Sequence, residues 1–352
     1  MFEELIGGWD GEFVATHFDA PSSSWMFVGV HSTALGPGFG GTRMKVYAEP
    51  GQALGDVLRL SAAMTSKNAI ADIGFGGGKS VLAVPEIPRG DARTEMLGRY
   101  ADLVASLGGS YVTACDMNTT ESDMDVVGER CPHVMGRSVA AGGSGTSAPD
   151  TAIGVFHGIR ASLAHAFGSD DPSGRTIVVE GTGAVGGQLC DLLAEAGAKL
   201  VVSDIAHERA RTVAERVGAD IVGPADAFDV PCDLFSPCAT GAVLNADTIP
   251  RLRCRVVAGA ANNQLAEAGD ADRLAAAGIL YAPDFVVNAG GVLHLAGYER
   301  SGWTPEQMSA RLTAIGDTLR DVFAAAERDD VTPEAAASRI ARERIAVGRD
   351  PG

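Results

Sequence analysis

The run Gly181-Thr182-Gly183-Ala184-Val185-Gly186 lies at the middle of this 352-residue chain, and its pattern and its position both restrict the fold. A β-branched stretch, Thr176-Ile177-Val178-Val179-Glu180, precedes it, and a helix-like segment from Gln188 to Ala196 follows. A second strand-like run, Leu200-Val201-Val202-Ser203, ends in Asp204, 21 residues after Gly183. Strand, glycine turn, helix, strand and acid in that order make the βαβ unit that cradles a dinucleotide. Gly181 permits the tight turn, Gly183 lets backbone approach a pyrophosphate, and Gly186 lets the helix pack closely on its strand. The N-terminus of that helix offers N–H groups and a positive dipole end to phosphate. Asp204 can accept hydrogen bonds from both ribose hydroxyls, which favours NAD over NADP. About 175 residues stand before the turn, so another part of the chain must bring the substrate.

The length suits two domains with full cores. Hydrophobic residues at 46% and charged residues at 21% mark a globular protein. A net charge of −17 argues against nucleic acid and anionic membranes as partners. No stretch has the uncharged apolar length that a bilayer requires. The start, Met1-Phe2-Glu3-Glu4, is acidic and lacks a signal-peptide pattern, so a cytoplasmic protein is expected. Cys115, Cys131, Cys190, Cys232, Cys238 and Cys254 lie scattered without a C-x-x-C pair and read as reduced thiols. The seven histidines show no ligand spacing, and no metal site is expected.

Alternation of short strands and helices runs through the first third. Residues 13–18 and 25–30 form a strand pair around Pro21-Ser22-Ser23-Ser24. Leu54, Val57, Leu58, Leu60 and Met64 recur at helical spacing. Residues 80–84 and 111–114 are further strands, with a helix over 95–107 between them. The small, flexible run Ala140 to Ser147 is the best boundary, giving a substrate-binding and oligomerisation domain over 1–145 and a nucleotide domain over 146–324. A helix from about Pro149 to Phe167 opens the second domain, which continues through strands near 233–235, 256–258 and 279–281. The expected class is α/β, with a parallel, doubly wound sheet in the second domain. Met308, Leu312, Ile315, Leu319 and Phe323 share one face of a long helix over 305–327. The helices over about 325–352 are expected to pack back on the first domain, with the tail Asp350-Pro351-Gly352 loose.

Candidate chemistry gathers before the boundary. Lys67 ends the apolar helical run Ala62-Ala63-Met64-Thr65-Ser66, and Lys79 follows Gly76-Gly77-Gly78 and opens a strand. Three glycines before a lysine let backbone and ligand approach closely. A phosphate loop ending in Gly78-Lys79-Ser80 would need glycine where Ile73 stands and a helix where Val81-Leu82-Ala83-Val84 is strand-like, so that reading fails. Asp116 ends a strand, where α/β enzymes place catalysts, although an acid there also serves as a helix N-cap. Leu35-Gly36-Pro37-Gly38-Phe39-Gly40-Gly41-Thr42-Arg43 reads as a glycine-rich loop. Asn262 and Asn263 follow a buried strand, either as turn residues or beside a nicotinamide amide.

Taken in order, Leu35–Met44, Met64–Lys67, Gly76–Lys79, Thr113–Asp116, Gly181–Gly186, Gly259–Gln264 and Tyr281–Gly291 resemble the glutamate, leucine, phenylalanine and valine dehydrogenase superfamily, over roughly residues 10–345. The resemblance implies two domains and a reaction in which an L-amino acid, NAD⁺ and water give the 2-oxo acid, ammonia and NADH. It implies that Lys67 holds the substrate carboxylate, that Lys79 activates the attacking water, and that Asp116 shuttles protons to and from the amine. It implies that Gly40, Gly41, Ala114, Val292 and Leu295 shape the substrate pocket, and that Ala239 joins Gly181, Gly183, Ala184, Val185, Gly186 and Asp204 at the cofactor. Asn262 or Asn263 would contact substrate or nicotinamide. A lysine works as a base near neutral pH only when burial and a neighbouring cation favour its neutral form, and Lys67 is the candidate neighbour. Glutamate enzymes of the family carry lysine where this chain has Phe39; an apolar ring there would leave a buried carboxylate unpaired, at a cost on the order of several kcal/mol. Ala114 and Val292 look like the leucine and valine enzymes, whereas Leu295 and Gly302-Trp303 look like the phenylalanine enzymes. A branched-chain aliphatic substrate is favoured, with phenylalanine as the alternative and a non-catalytic NAD-sensing protein as the alternative of another class. The resemblance also implies a homo-oligomer.

Overall fold

The computed structural model describes residues 6–349. The acidic start Met1–Glu4 and the tail Asp350–Gly352 lie outside the described residues. Two compact units form. One takes the described residues up to Thr146, Leu295–Gly302 and the described residues from Ala341 onward. The other takes Ser147–His294 and Trp303–Ile340.

The first unit is built on a five-stranded sheet of β1 (Phe13–Asp19), β2 (Ser24–Ser32), β3 (Gly38–Lys45), β4 (Gly76–Ala83) and β5 (Tyr111–Cys115), in the order β1-β2-β4-β3-β5. The strand pair expected around Pro21–Ser24 is an antiparallel hairpin running from Phe13 opposite Val30 to Asp19 opposite Ser24. β3 is parallel to both β4 and β5. Alternation along β2 and β4 feeds two cores. Met26, Val28 and Leu82 face the helix α2 (Gly90–Ser106) through Met96, Leu97 and Tyr100. Phe27 and Val81 face α1 (Pro50–Ala71) through Leu54, Val57 and Leu58. A short helix, α3 (Glu121–Gly128), follows β5 behind a capping box closed by Thr120 and Asp123.

Three expectations change here. From Gly38 on, the glycine-rich run before Met44 is not a loop but β3, and only Leu35-Gly36-Pro37 stay in a turn. Lys79 does not open its strand; it is the fourth residue of β4, with all three glycines inside the ladder. Helix α1 continues past Lys67 to Ala71. The cause is common to the glycines. A Cβ at Gly40 would stand 2.0 Å from the Gly78 carbonyl oxygen, and one at Gly77 would stand 1.9 Å from Thr65 Oγ1 on α1. Glycine here buys close approach of strand to strand and helix to sheet, which composition alone reads as a loop.

The second unit opens with α4 (Ala148–Phe167) and carries a six-stranded, wholly parallel sheet in the order β11-β10-β9-β6-β7-β8. Its elements are β6 (Thr176–Glu180), α5 (Ala184–Glu195), β7 (Lys199–Ser203), α6 (His207–Val217), β8 (Asp220–Ile221), β9 (Leu234–Pro237), β10 (Val256–Val257), α7 (Asp270–Ala276) and β11 (Leu280–Tyr281). The chain winds outward from β6 to β8, then returns to β9 on the other side, so the winding reverses between β6 and β9. This is the doubly wound α/β class that the spacing predicts. After β11 come two short helices, α8 (Asp284–Val287) and α9 (Gly290–Leu295), then a π-helix over Ala296–Ser301. The long amphipathic helix is α10 (Pro305–Asp329), and all five residues of its expected stripe are buried, on the side that meets α4. The last is α11 (Pro333–Arg349).

Candidate active site

In the first unit, the strands deliver Lys79 and Asp116 to one another. Lys79 is 5% exposed, and its Nζ lies 3.1 Å from Asp116 Oδ2. The same carboxylate oxygen accepts from Arg43 Nε at 3.2 Å. Burial alone would push the Asp116 carboxyl up, but the charges of Lys79 and Arg43, with the Lys79 hydrogen bond and the Met117 N–H, hold it down at about 2. Arg43 also donates to Asp56 Oδ2 at 3.0 Å. Asp56, on α1, further accepts from the Tyr47 hydroxyl at 2.7 Å and from Arg59 at 2.7 Å. Against burial, the Tyr47 hydrogen bond and the Arg43 charge keep Asp56 below the usual carboxylate range. Arg43, Tyr47 and Asp56 carry no chemical signal in the sequence on their own. Reading residues 38–45 as a strand would have exposed the link, because Gly41 and Arg43 alternate on one face.

Asp116 plays no N-cap role for α3, which Thr120 fills. Its own N–H donates to Thr119 Oγ1 at 2.8 Å, and Thr119 in turn donates to the Thr42 carbonyl at 2.8 Å. On the other side of the strands lies a buried hydroxyl network that sequence reasoning missed. Thr42 Oγ1 meets Tyr100 OH at 2.7 Å and Ser80 Oγ at 2.9 Å, while Tyr111 OH donates to the Gly40 carbonyl at 2.6 Å. These contacts tie β3, β4, β5 and α2 together directly behind Lys79 and Gly41 and satisfy polar groups that burial would otherwise penalise. From α1, the fully buried Asn68 donates to the Phe39 carbonyl at 3.1 Å and the Gly76 carbonyl at 2.6 Å. Lys67, the residue before Asn68, is half-buried on this sheet-bound helix.

The expected pocket residues divide between the units. Gly41 borders Asp116: a Cβ there would stand 2.9 Å from Asp116 Cβ. A Cβ at Gly136 would stand 3.5 Å from Leu295 Cδ2 and 3.8 Å from Ala114 Cβ. Phe39 is 1% exposed, its ring centroid 5.0 Å from that of Phe75, over which the Arg300 guanidinium sits at 4.2 Å. Arg300 and Leu295 belong to the excursion Leu295–Gly302 that groups with this unit, and Glu299 anchors it by accepting from the N–H groups of Gly136 and Ser144, both at 3.0 Å. Val292, buried, belongs to the second unit.

In the second unit, the glycine turn sits where β6 ends and α5 begins. Gly181 has φ +98, and a Cβ there would stand 2.5 Å from the Ala239 nitrogen, just beyond β9. A Cβ at Gly186 would stand 2.0 Å from the Gly181 carbonyl. Gly183, by contrast, faces open space, with only Arg209 Nη1 at 4.0 Å. Two filled glycine positions and one open one at the start of α5, whose first residues are Ala184 and Val185, fit a phosphate against the helix N-terminus. Asp204 directly follows β7, and its Oδ2 accepts from Thr182 N at 2.9 Å and Oγ1 at 3.1 Å, while its Oδ1 accepts from Ala206 N at 2.8 Å. Burial opposes its charge, but these hydrogen bonds and Arg209, at 3.6 Å, lower its carboxyl. A carboxylate offers about four acceptor sites, so capacity remains for a ribose hydroxyl. Asn263 takes a left-handed φ of +53, the turn role, while Asn262 Oδ1 accepts from the buried Asn288 side chain at 3.1 Å. Among the described residues, Asn288 Oδ1, Gln264 Oε1 and Glu180 Oε2 are buried polar atoms without a hydrogen-bond partner, all close to this end of the sheet.

Among the described residues, no cluster of three or more His, Cys, Asp or Glu could hold a metal ion, and no helix is long and apolar enough to cross a membrane.

Two sequence-family models match. The one described as Glu/Leu/Phe/Val dehydrogenase, dimerisation domain, covers residues 25–133, and the one described as Glutamate/Leucine/Phenylalanine/Valine dehydrogenase covers 202–349. A leucine dehydrogenase of Geobacillus stearothermophilus is 42% identical over 341 residues, spanning 97% of this chain and 92% of that protein. A valine dehydrogenase of Streptomyces coelicolor is 44% identical over 336 residues, spanning 94% and 91%. The solved structure of L-tryptophan dehydrogenase from Nostoc punctiforme matches with a TM-score of 0.83 at 35% identity, over 99% of each chain. With its α/β sheet preceding a doubly wound nucleotide fold, this chain belongs to the Glu/Leu/Phe/Val dehydrogenase family.

Proposed function

We propose that this chain catalyses the reversible, NAD-dependent oxidative deamination of hydrophobic L-amino acids, with branched-chain substrates favoured, to the 2-oxo acid and ammonia. The observation that carries the proposal is the buried contact of Lys79 with Asp116, in a chain more than 40% identical to leucine and valine dehydrogenases over most of its length. When bound, NAD⁺ supplies the hydride acceptor. The chain's own residues do the rest. Lys67 holds the substrate carboxylate. Lys79 positions and activates the attacking water, and Asp116 accepts and returns the proton of the amine. At about 2, the Asp116 carboxyl is too acidic to trap a proton for long. It becomes an effective acceptor as the substrate's negative carboxylate enters and weakens the hold of the surrounding cations. Asp204 accepts from the adenosine ribose, and the α5 N-terminus holds the pyrophosphate, with Ala239 and Asn263 beside it. Gly40, Gly41, Ala114 and Leu295 are the first unit's substrate residues, and Asn262 and Val292 are those of the second unit.

Phe39 disfavours glutamate, because it meets a second substrate carboxylate with an apolar ring in place of a lysine's charge. A second reading, an aromatic substrate, is favoured by Leu295 and by the 35% identical tryptophan dehydrogenase. NADH formation from leucine, valine and phenylalanine, compared as kcat/KM, tests both. A higher value for phenylalanine would replace the first reading with the second. No NADH from any of them would leave an NAD-sensing protein. We place the enzyme in the cytoplasm, as its six free cysteines favour, and assign self-association to the first unit, whose matching family model is described as a dimerisation domain. A monomeric mass in solution would reject that assignment.

A further inference from the structure

Strands β9 and β10 are parallel, with Leu234 opposite Val256 and Phe235 opposite Val257. Two residues before each pairing stand Cys232 and Cys254, at the same offset. The Cys232 N–H donates to the Arg253 carbonyl at 3.1 Å, which carries the ladder down to this pair. Residues opposite one another on adjacent strands lie about 4.8 Å apart, inside the range of about 4.4–6.8 Å that a disulfide spans between Cα atoms. Both side chains pack against the same cluster, which holds Phe235 and Val257, and both are half-buried, so solvent reaches them. We propose that Cys232 and Cys254 form an oxidisable dithiol, a modification site at which hydrogen peroxide closes an intrachain disulfide that staples the start of β9 to the start of β10.

The chemistry is that of a thiolate with a neighbouring resolving thiol. The Cys254 thiolate attacks one peroxide oxygen, the O–O bond breaks, and the departing hydroxide takes a proton to become water. The Cys232 sulfur then attacks the resulting sulfenic sulfur. The S–S bond forms, the S–O bond breaks, and the hydroxyl leaves with the Cys232 proton as a second water. Two thiols lose two electrons and two protons, and one peroxide becomes two waters. Within the pair Cys254 is the reactive member, because the hydrogen bond between the two thiols and burial raise Cys232. The hydrogen bond from Cys232 lowers the Cys254 thiol, whereas burial raises Cys115 and Cys131 and pushes Cys190 to about 12 and Cys238 to about 11.

The test uses the full-length reduced protein, treated with hydrogen peroxide, denatured, and labelled with a maleimide polymer that counts free thiols. Untreated chain labels at all six cysteines. The expected product labels at four, regains six after dithiothreitol, and yields a single cross-linked peptide pair joining Cys232 to Cys254. Cys254→Ser should keep its five thiols at the same peroxide dose. Cys232→Ser should lose the thiol at Cys254 without forming an intrachain link. Six thiols still labelling in the treated wild type, a link mapped to any other pair, or thiol loss in Cys254→Ser at the wild-type rate would each overturn the proposal. None of these readouts depends on dehydrogenase activity.

Discussion

Two cations share one carboxylate oxygen at Asp116, and the two contribute differently. Lys79 is placed in the proposed chemistry, so Lys79→Ala should lower kcat by about a thousandfold while NADH binding, followed by fluorescence titration, stays intact. Near-normal turnover would remove Lys79 from the mechanism. Arg43 acts through Asp116. In Arg43→Gln one of the two charges that depress the Asp116 carboxyl is gone, so the acid limb of the kcat/KM profile should move upward by about 1 pH unit. An unmoved limb would mean that Arg43 serves only to brace Asp56. The same carboxyl is linked to folding. Its native value, about 2, lies below its ordinary 3.8, so its stabilising contribution is present above the ordinary value and is lost as pH falls through the native one. Wild type should therefore lose stability between about pH 4 and pH 2 more steeply than Asp116→Asn, measured by urea denaturation.

At the scale of elements, the site depends on how closely α1 and the glycine strands approach. Gly77→Ala would drive a methyl into Thr65 and push α1 off β4. Overpacking of this kind costs about 1–3 kcal/mol, which thermal unfolding reads directly, and KM for the amino acid should rise because Lys67 rides on α1. An unchanged melting point would show that the helix can shift freely. In the second unit, Asp204 braces the turn through Thr182 and Ala206 and is the residue proposed to meet the ribose. Asp204→Ala should cut the NAD-over-NADP preference by about tenfold or more, and an unchanged ratio of kcat/KM values would count against the ribose contact.

At the scale of the whole molecule, the last helix carries a pH dependence of its own. Glu334, in the first turn of α11, is raised to about 8 by burial and, next, by the charge of Asp284. Among the described residues its Oε2 has no hydrogen-bond partner. A carboxyl whose native value exceeds its ordinary 4.5 contributes stability below the ordinary value and loses it as pH rises through the native one. Wild type should thus lose stability between about pH 5 and pH 8, and Glu334→Gln should flatten that decline and be the more stable chain at the upper end. A Tm profile with the same slope in both would show that Glu334 is ionised throughout.

The sequence alone carried the nucleotide fold. The order of β-branched runs, glycine turn, helix and acid is local, because each element's period and each turn's steric demand are written in consecutive residues. The amphipathic stripe of α10 was legible for the same reason. Lys79 and Asp116 were legible as candidates, since a charged residue after three glycines or at a strand's end is uncommon. What the sequence could not supply was the meaning of glycines at 38–41 and 76–78. A glycine that admits a neighbouring strand and one that bends a loop are the same residue, and only the partner's position distinguishes them. The role of Arg43, the hydroxyl network through Thr42, Ser80, Tyr100 and Tyr111, and the return of Leu295–Gly302 to the first unit were likewise decided by tertiary structure. Each joins residues tens of positions apart or more, and no local period encodes which distant group will neutralise a buried charge or satisfy a buried hydroxyl.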